Sequence, residues 1–202
     1  MKIFSEKEAE GFLMQEKFDV VPGFFIRNLK ELQMSLKKLG FPVVMKVSGK
    51  KIIHKARVGG VIVGIKTYTH ALESFKKLKK IKGAKGMIIQ REISGSEFLV
   101  GIKYTEDFGH VIAFGAGGSK VEIKKEISFR VFPFGHKEAR EMINEISEAK
   151  ELMVKDKTAI ERVLFQVSDL LKKYPKISEM DINPLMVKNG KAVIADARIV
   201  WK

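Results

Sequence analysis

The 202-residue chain has no cysteine, five prolines and one tryptophan, and its acidic residues are scarce beside its basic ones. Without cysteine there are no disulfides, no thiolate metal sites and no cysteine nucleophile. No apolar run approaches the roughly 20 residues that a membrane-crossing helix requires. The opening stretch, Met1-Lys2-Ile3-Phe4-Ser5-Glu6, lacks the apolar core and small-residue cleavage site of a signal peptide, so a cytoplasmic protein with no membrane partner is expected. Aromatic residues, 9% of the chain, are not interleaved with cations as a base-stacking surface requires.

What is present is apolar residue and positive charge. With 45% hydrophobic residues the chain can bury one domain core or two lobes. Thirty-eight lysines and arginines against 24 acidic residues give a formal charge of +14, which suits anionic ligands, an acidic partner subunit or nucleic acid. The placement of the aromatics makes nucleic acid the lesser of these. Runs such as Lys76-Lys77-Leu78-Lys79-Lys80 also read as the solvated face of a helix.

Alternating elements run along the chain. Ser5 with Glu8 forms a capping box for a helix to about Gln15. Val20-Val21 and Phe24-Phe25-Ile26 read as a strand broken at Pro22-Gly23. Asn28 caps a helix with Leu29, Leu32, Leu36 and Leu39 on one face, and Gly40 ends it. Strands follow at Val43–Val47 and Val61–Ile65, and Thr69 is the expected cap of a helix with Leu72, Phe75 and Leu78 inward. Gly83 to Gly86 reads as a hinge between lobes. Beyond it, Met87–Ile93, Glu97–Gly101 and Val111–Phe114 suggest an antiparallel meander. Helices near 137–149 and 156–173 precede a last hairpin turning at Asn189-Gly190.

Several residues can carry chemistry. In Lys51-Ile52-Ile53-His54-Lys55-Ala56-Arg57-Val58-Gly59-Gly60, cations meet a glycine pair that lets backbone approach phosphate oxygens. A neutral imidazole there, His54, is competent to accept a phosphoryl group; an exposed cationic hairpin is the plainer reading. Lys46, the one charge in its strand, either snorkels to the surface or meets a phosphate. Gln90, Arg91, Glu92 and Ile93 close a strand and can present amide groups to a base edge, and Glu97 can bond ribose hydroxyls; ordinary strand-end polarity explains both equally well. In Glu179-Met180-Asp181-Ile182-Asn183, residues 179, 181 and 183 share one strand face, and Asp196 returns on the same hairpin. Oxygen donors of this kind suit Mg²⁺, which takes one or two protein oxygens plus phosphate and water. A solvent-facing edge hairpin is the competing reading. The apolar neighbours Ile182, Pro184 and Leu185 favour burial. His70, His110 and His136 read as surface residues, and Arg130 can face a nucleotide or not.

Taken together, Pro42-Val43-Val44-Met45-Lys46, Ile53-His54-Lys55 with Gly59-Gly60-Val61, Phe114-Gly115-Ala116-Gly117-Gly118 with Val121-Glu122 and Ser128-Phe129-Arg130, Asp181-Ile182-Asn183-Pro184-Leu185 and Asp196-Ala197-Arg198-Ile199 resemble the ATP-grasp (beta) subunit of ADP-forming acyl-CoA synthetases. These are the archaeal acetate–CoA ligases, relatives of succinyl-CoA synthetase. The resemblance covers nearly the whole chain. It implies an α+β ATP-grasp fold with nucleotide between two lobes, residues 21–82 forming the smaller and 1–20 with 83–202 the larger. By that resemblance Lys46, Gly59 and Gly60 meet phosphates, Gln90 to Ile93 border adenine, Glu97 holds ribose, and Asn183 and Asp196 hold Mg²⁺. His54 would be phosphorylated and Asp181 would steady it. The implied activity is that of an acid–thiol ligase, acyl-CoA + ADP + phosphate going to acid + CoA + ATP. It needs a CoA-binding alpha subunit in a hetero-oligomer such as α2β2. A free-standing ATP-grasp ligase and a non-catalytic basic nucleotide or nucleic-acid binding module are the alternatives. Where the family has serine and an acidic residue after His-Lys, this chain has Ala56 and Arg57. Between Leu152 and Thr158 the chain is shorter than the family pattern and lacks its Arg-Gly.

Overall fold

Local signals set most element boundaries in the computed structural model, which describes residues 1–49, 52, 55, 58–118 and 126–202. In chain order the elements begin β1 (Lys2–Ile3), α1 (Glu6–Gln15), β2 (Gly23–Ile26), α2 (Leu29–Leu39), β3 (Val43–Ser48), β4 (Val61–Ile65), α3 (Tyr68–Lys79) and β5 (Gly86–Arg91). They continue as β6 (Ser96–Thr105), β7 (Gly109–Ala116), β8 (Ile127–Val131), α4 (His136–Glu145), α5 (Ser147–Lys150), α6 (Val154–Lys173), β9 (Ile177–Lys188), β10 (Lys191–Ile194) and β11 (Ala197–Trp201). Ser5 and Glu8 cap α1 reciprocally, and Asn28 accepts from the Glu31 N–H to open α2. Gly40, at φ 69°, ends α2. The cap of α3 is Thr67, which accepts from His70 N–H at 3.2 Å, and not Thr69. Both threonines precede the apolar repeat closely enough to cap, and the two-residue earlier start wins.

The chain divides into two compact units, Val21–Ile93 and Met1–Val20 with Ser94–Lys202. The expected division at 82/83 is therefore displaced to 93/94, and the turn at Gly83 lies inside the smaller unit. The reason is pairing: β5 lies between β2 and β3 in the order β2-β5-β3-β4, every pair antiparallel. The meander expected from β5 onward starts one strand later, as β6-β7-β8. In the smaller unit α2 and α3 pack Leu32, Leu36, Leu39, Ala71, Phe75 and Leu78 against Val43, Met45, Val47, Met87 and Ile89. Each leucine, valine, isoleucine, methionine or phenylalanine side chain so buried contributes on the order of 2 kcal/mol.

The larger unit is one sheet ordered β1-β11-β9-β6-β7-β8, with β10 paired to β9 across the Asn189-Gly190 turn. Both turn residues have positive φ, as a two-residue hairpin demands. One face of the sheet meets α6 through Ile160, Val163, Leu164, Val167 and Leu171. On β9 that alternation buries Met180 and Ile182 and turns Glu179 and Asp181 outward. The break read at Pro22-Gly23 is where units change: Val20 bridges Ile194 in the larger unit, whereas β2 belongs to the smaller.

Candidate functional site

In the larger unit the candidate residues gather at the Asn183 end of β9. Glu179, Asp181 and Asn183 share one face, as period two requires. Asn183 is half-buried and Asp181 exposed. The apolar neighbours Ile182 and Leu185 are buried in the core, so the expectation that they would enclose Asp181 is corrected: alternation turns Ile182 away from Asp181, and the register shift between the Ile182–Val100 and Leu185–Phe98 pairs returns Leu185 to the core. Asp181 stands in register with Gly101 on β6 and Arg198 on β11. Lys103, Glu179, Asp181 and Arg198 line a shallow groove of about 200 Å³. Asp196 follows the bend at Ala195 between β10 and β11, and its carbonyl accepts the Asn183 N–H at 3.1 Å.

Gly118 joins these residues. Its N–H donates to Asn183 Oδ1 at 2.9 Å, and a Cβ placed on it would occupy the Glu97 carboxylate. One residue earlier, Gly117 donates its N–H to the Glu97 carbonyl at 2.7 Å, and a Cβ there would strike the Phe98 backbone. The Gly-Gly pair after β7 thus lets the main chain at Gly117 and Gly118 settle directly on Glu97 and Asn183. Gly118 was not among the expected site residues. Its signal was present in the Gly-Ala-Gly-Gly run after an apolar strand, but which side chains that loop would meet depends on the β6–β9 pairing.

In the smaller unit Lys46 is buried on β3, paired with Ile88 and Val61, on the face opposite Met45 and Val47 and away from the helices. The Gly60 carbonyl accepts the Val47 N–H at 2.7 Å, and the Gly60 N–H donates to the Lys55 carbonyl at 2.7 Å. Gly59 has φ 63°, and a Cβ on Gly60 would meet Val47 and the Lys55 carbonyl. The glycine pair therefore closes a tight turn against the strand bearing Lys46. His54 and the departure at Ala56-Arg57 lie outside the described residues. Gln90 is buried, its amide donating to the Val21 carbonyl at 3.4 Å. The Arg91 guanidinium donates twice to the Leu39 carbonyl, at 3.1 and 2.7 Å, closing the end of α2. Glu92 accepts the Gly64 N–H at 3.1 Å, and its own N–H donates to the Pro42 carbonyl. The Arg91 and Glu92 side chains thus serve the sheet itself, while half-buried Ile93 ends the unit.

The donor set at Asn183 and Asp196 is oxygen only, which fits a hard cation such as Mg²⁺. Among the described residues no group of three or more His, Asp or Glu is placed to hold a metal, so a cation here would draw its remaining ligands from phosphate and water. Asn183 Oδ1 has a second lone pair beyond the one that Gly118 engages. Arg130 instead serves as a staple. It bonds Glu145 of α4 at 2.6 Å, and Ser128 donates to the same carboxylate. That pairing holds the Glu145 carboxyl below its ordinary range. His110 bonds the Ile177 carbonyl and His136 bonds Glu161.

Residues 1–200 match the family model described as an ATP-grasp domain, and the chain belongs to that family. The α+β ATP-grasp fold is as expected. It is 38% identical over 201 residues to acetate–CoA ligase [ADP-forming] II of Archaeoglobus fulgidus, covering 96% of this chain and 30% of that protein, so the chain spans under a third of that relative. It is 34% identical over 216 residues to acetate–CoA ligase [ADP-forming] II subunit beta of Pyrococcus furiosus, covering 98% of this chain and 91% of that one. Among solved structures, acetyl-coenzyme A synthetase 1 of Ca. Korarchaeum cryptofilum with coenzyme A, Ca-AMPCP and HgCl+ superposes with a TM-score of 0.88 at 27% identity, covering 100% of this chain and 94% of that one. A second complex of that protein has coenzyme A and Mg-AMPPCP, with its phosphohistidine segment pointing towards the nucleotide binding site. It gives a TM-score of 0.81 at 28% identity, covering 100% and 93%. No helix among the described residues is long and apolar enough to cross a membrane.

Proposed function

We propose that this chain is the nucleotide-binding part of an ADP-forming acyl-CoA synthetase, passing a phosphoryl group between a CoA-binding partner chain and Mg-ADP. The observation that carries this reading is the meeting of Glu97 and Asn183 at Gly118, with Asp196 tied to Asn183 through its main-chain carbonyl, so that oxygen acceptors collect at one strand end. The relatives support it: one of nearly this length is named a beta subunit of an ADP-forming acetate–CoA ligase.

In this reading Lys46 and the Gly59-Gly60 turn bind the nucleotide phosphates, and the main chain of Glu92 and Ile93 meets the adenine edge. Gln90 and Arg91 act behind it by fixing the end of the strand. Glu97 accepts from ribose hydroxyls. Asn183 and Asp196 would hold Mg²⁺, which when bound screens the phosphate charge during transfer. His54 takes the phosphoryl group on a ring nitrogen as its bond to the donor breaks, and gives it to the terminal oxygen of ADP. Asp181, exposed on the strand face it shares with Asn183, accepts the N–H of the phosphorylated ring. The partner chain supplies the thioester chemistry.

The test uses γ-labelled ATP with Mg²⁺, the chain alone and with a separately purified CoA-binding chain, beside His54→Ala and Asp196→Asn. Acid-labile, base-stable label that disappears in His54→Ala and falls at least about tenfold in Asp196→Asn is expected. Nucleotide binding without label, even with the partner present, would sink the shuttle and leave a free-standing ligase or a non-catalytic binding module.

A further inference from the structure

The positive charge of this chain is not spread over it. Seventeen of its 38 lysines and arginines, but only three of its 24 acidic residues, fall within Val21–Ile93. The smaller unit thus carries the whole formal charge of +14 and the larger unit is neutral. The larger unit also pairs its charges: Arg140 with Glu161 at 3.2 Å, Lys173 with Glu16 at 2.8 Å, Lys172 with Asp169 at 2.9 Å. In the smaller unit Lys76, Lys77, Lys79, Lys80, Lys82 and Lys85 are all exposed, and among the described residues none of the six has an ion-pair partner. Glu73, the single acid of α3, precedes Lys77 by the spacing of a helical ion pair yet does not form one. A general bias toward lysine would load both units alike; this one loads one unit and leaves it unneutralised.

The cluster has a place. Lys82 and Lys85 flank the turn at Gly83, whose carbonyl lies where a Cβ on Gly49 would stand. Lys85 N–H also donates to the Ser48 carbonyl at 2.8 Å. The turn therefore sits against Ser48 and Gly49, next to Val47, whose N–H the Gly60 carbonyl accepts. Among the described residues the cluster is all lysine, with no arginine fork and no exposed aromatic anchor of the kind that contact surfaces concentrate. Hydrated point charges on flexible stems act at a distance.

We infer that this lysine field steers the anionic nucleotide toward the Gly59-Gly60 turn, raising its association rate without touching it once bound. The inference rests on the nucleotide-binding reading above. Like-signed charge around a site raises anion on-rates by roughly 10- to 1,000-fold and fades with salt. Binding of a fluorescent ADP analogue with Mg²⁺, followed by stopped flow at about 20 mM and about 300 mM salt, tests it. The variant is Lys76→Gln/Lys80→Gln/Lys82→Gln. The control is Lys150→Gln/Lys176→Gln/Lys191→Gln, which removes the same charge from the neutral unit. The first should lower the association rate about fivefold at low salt, leave the dissociation rate unchanged, and converge with wild type at high salt; the control should not. A faster dissociation at unchanged association overturns steering, because the lysines then contact the ligand. An equal loss in the control, or no loss in either, also overturns it. Wild type that never binds the analogue refutes the nucleotide-binding reading itself.

Discussion

Gly118 stands at φ 65° with its N–H on Asn183 and the Glu97 carboxylate where its side chain would be. Two separate objections to any side chain meet there. An L-residue in the left-handed region costs roughly 1–2 kcal/mol, and the added methyl must displace the carboxylate. Gly118→Ala should raise the Kd for ADP at least about tenfold, since about 1.4 kcal/mol is one decade. Isothermal titration reads this directly. Adding Glu97→Ala to it relieves the clash but not the loss of the ribose contact proposed for Glu97, so the double variant should bind no better than Glu97→Ala alone; recovery to wild-type affinity would show that Glu97 bears no part in binding. Asp181 offers the opposite case. It is exposed in a groove it shares with Lys103 and Arg198, so Asp181→Asn should change stability by no more than about 1 kcal/mol while lowering phosphorylation of the chain. A thermal melt beside the labelling experiment separates the two.

Single elements are held by single side chains in two places. Arg91 closes α2 from β5 by giving two N–H groups to the Leu39 carbonyl; Arg91→Ala should cost the smaller unit about 1 kcal/mol, read by hydrogen exchange in α2. Arg130 and Ser128, on β8, hold the Glu145 carboxyl of α4 below its ordinary value of 4.5, the arginine hydrogen bond being the larger cause. A carboxylate lowered in the folded state adds stability that is complete above the ordinary value and is lost as pH falls through the depressed one. Arg130→Gln should therefore destabilise the larger unit near neutrality, and the deficit should vanish on acidification well below pH 4.5. Urea midpoints at both pH values decide it. Elements were also what the sequence showed best. Ser5, Asn28 and Gly40 announce helix ends because a cap is chemistry within three residues. The alternation through Met180 and Ile182 announces which of the β9 carboxylates and amides share a face. What local pattern cannot carry is a partner far along the chain. Nothing in Met87–Ile93 says that β5 will insert between β2 and β3, so Gly83 reads as a hinge, eleven residues before the division between the compact units. The contact of Gly118 with Asn183, 65 residues away, escaped for the same reason.

At the scale of the whole chain, two cores and one segregated charge give two units with different responses to solvent. The smaller unit holds seventeen cations against three acids, while the larger is balanced and laced with ion pairs. Self-repulsion within a compact body opposes folding and is screened over about 10 Å at 0.1 M salt. Screening should therefore strengthen the smaller unit and leave the larger unchanged or slightly weaker, because its exposed ion pairs are each worth about 1 kcal/mol or less. A single melting temperature would blur two such units. Amide exchange resolved by peptide keeps them apart: raising salt from about 20 mM to about 300 mM should slow exchange in β3 and β5 several-fold and change β6 and β9 by less than about twofold. Equal slowing in both units would mean that salt acts on apolar burial common to the two cores and not on the charge of one. The same unneutralised lysines that would draw in a nucleotide would then impose no cost on the unit that bears them. The charge that serves binding is expected to be the charge that limits stability, and screening it should reveal both effects at once.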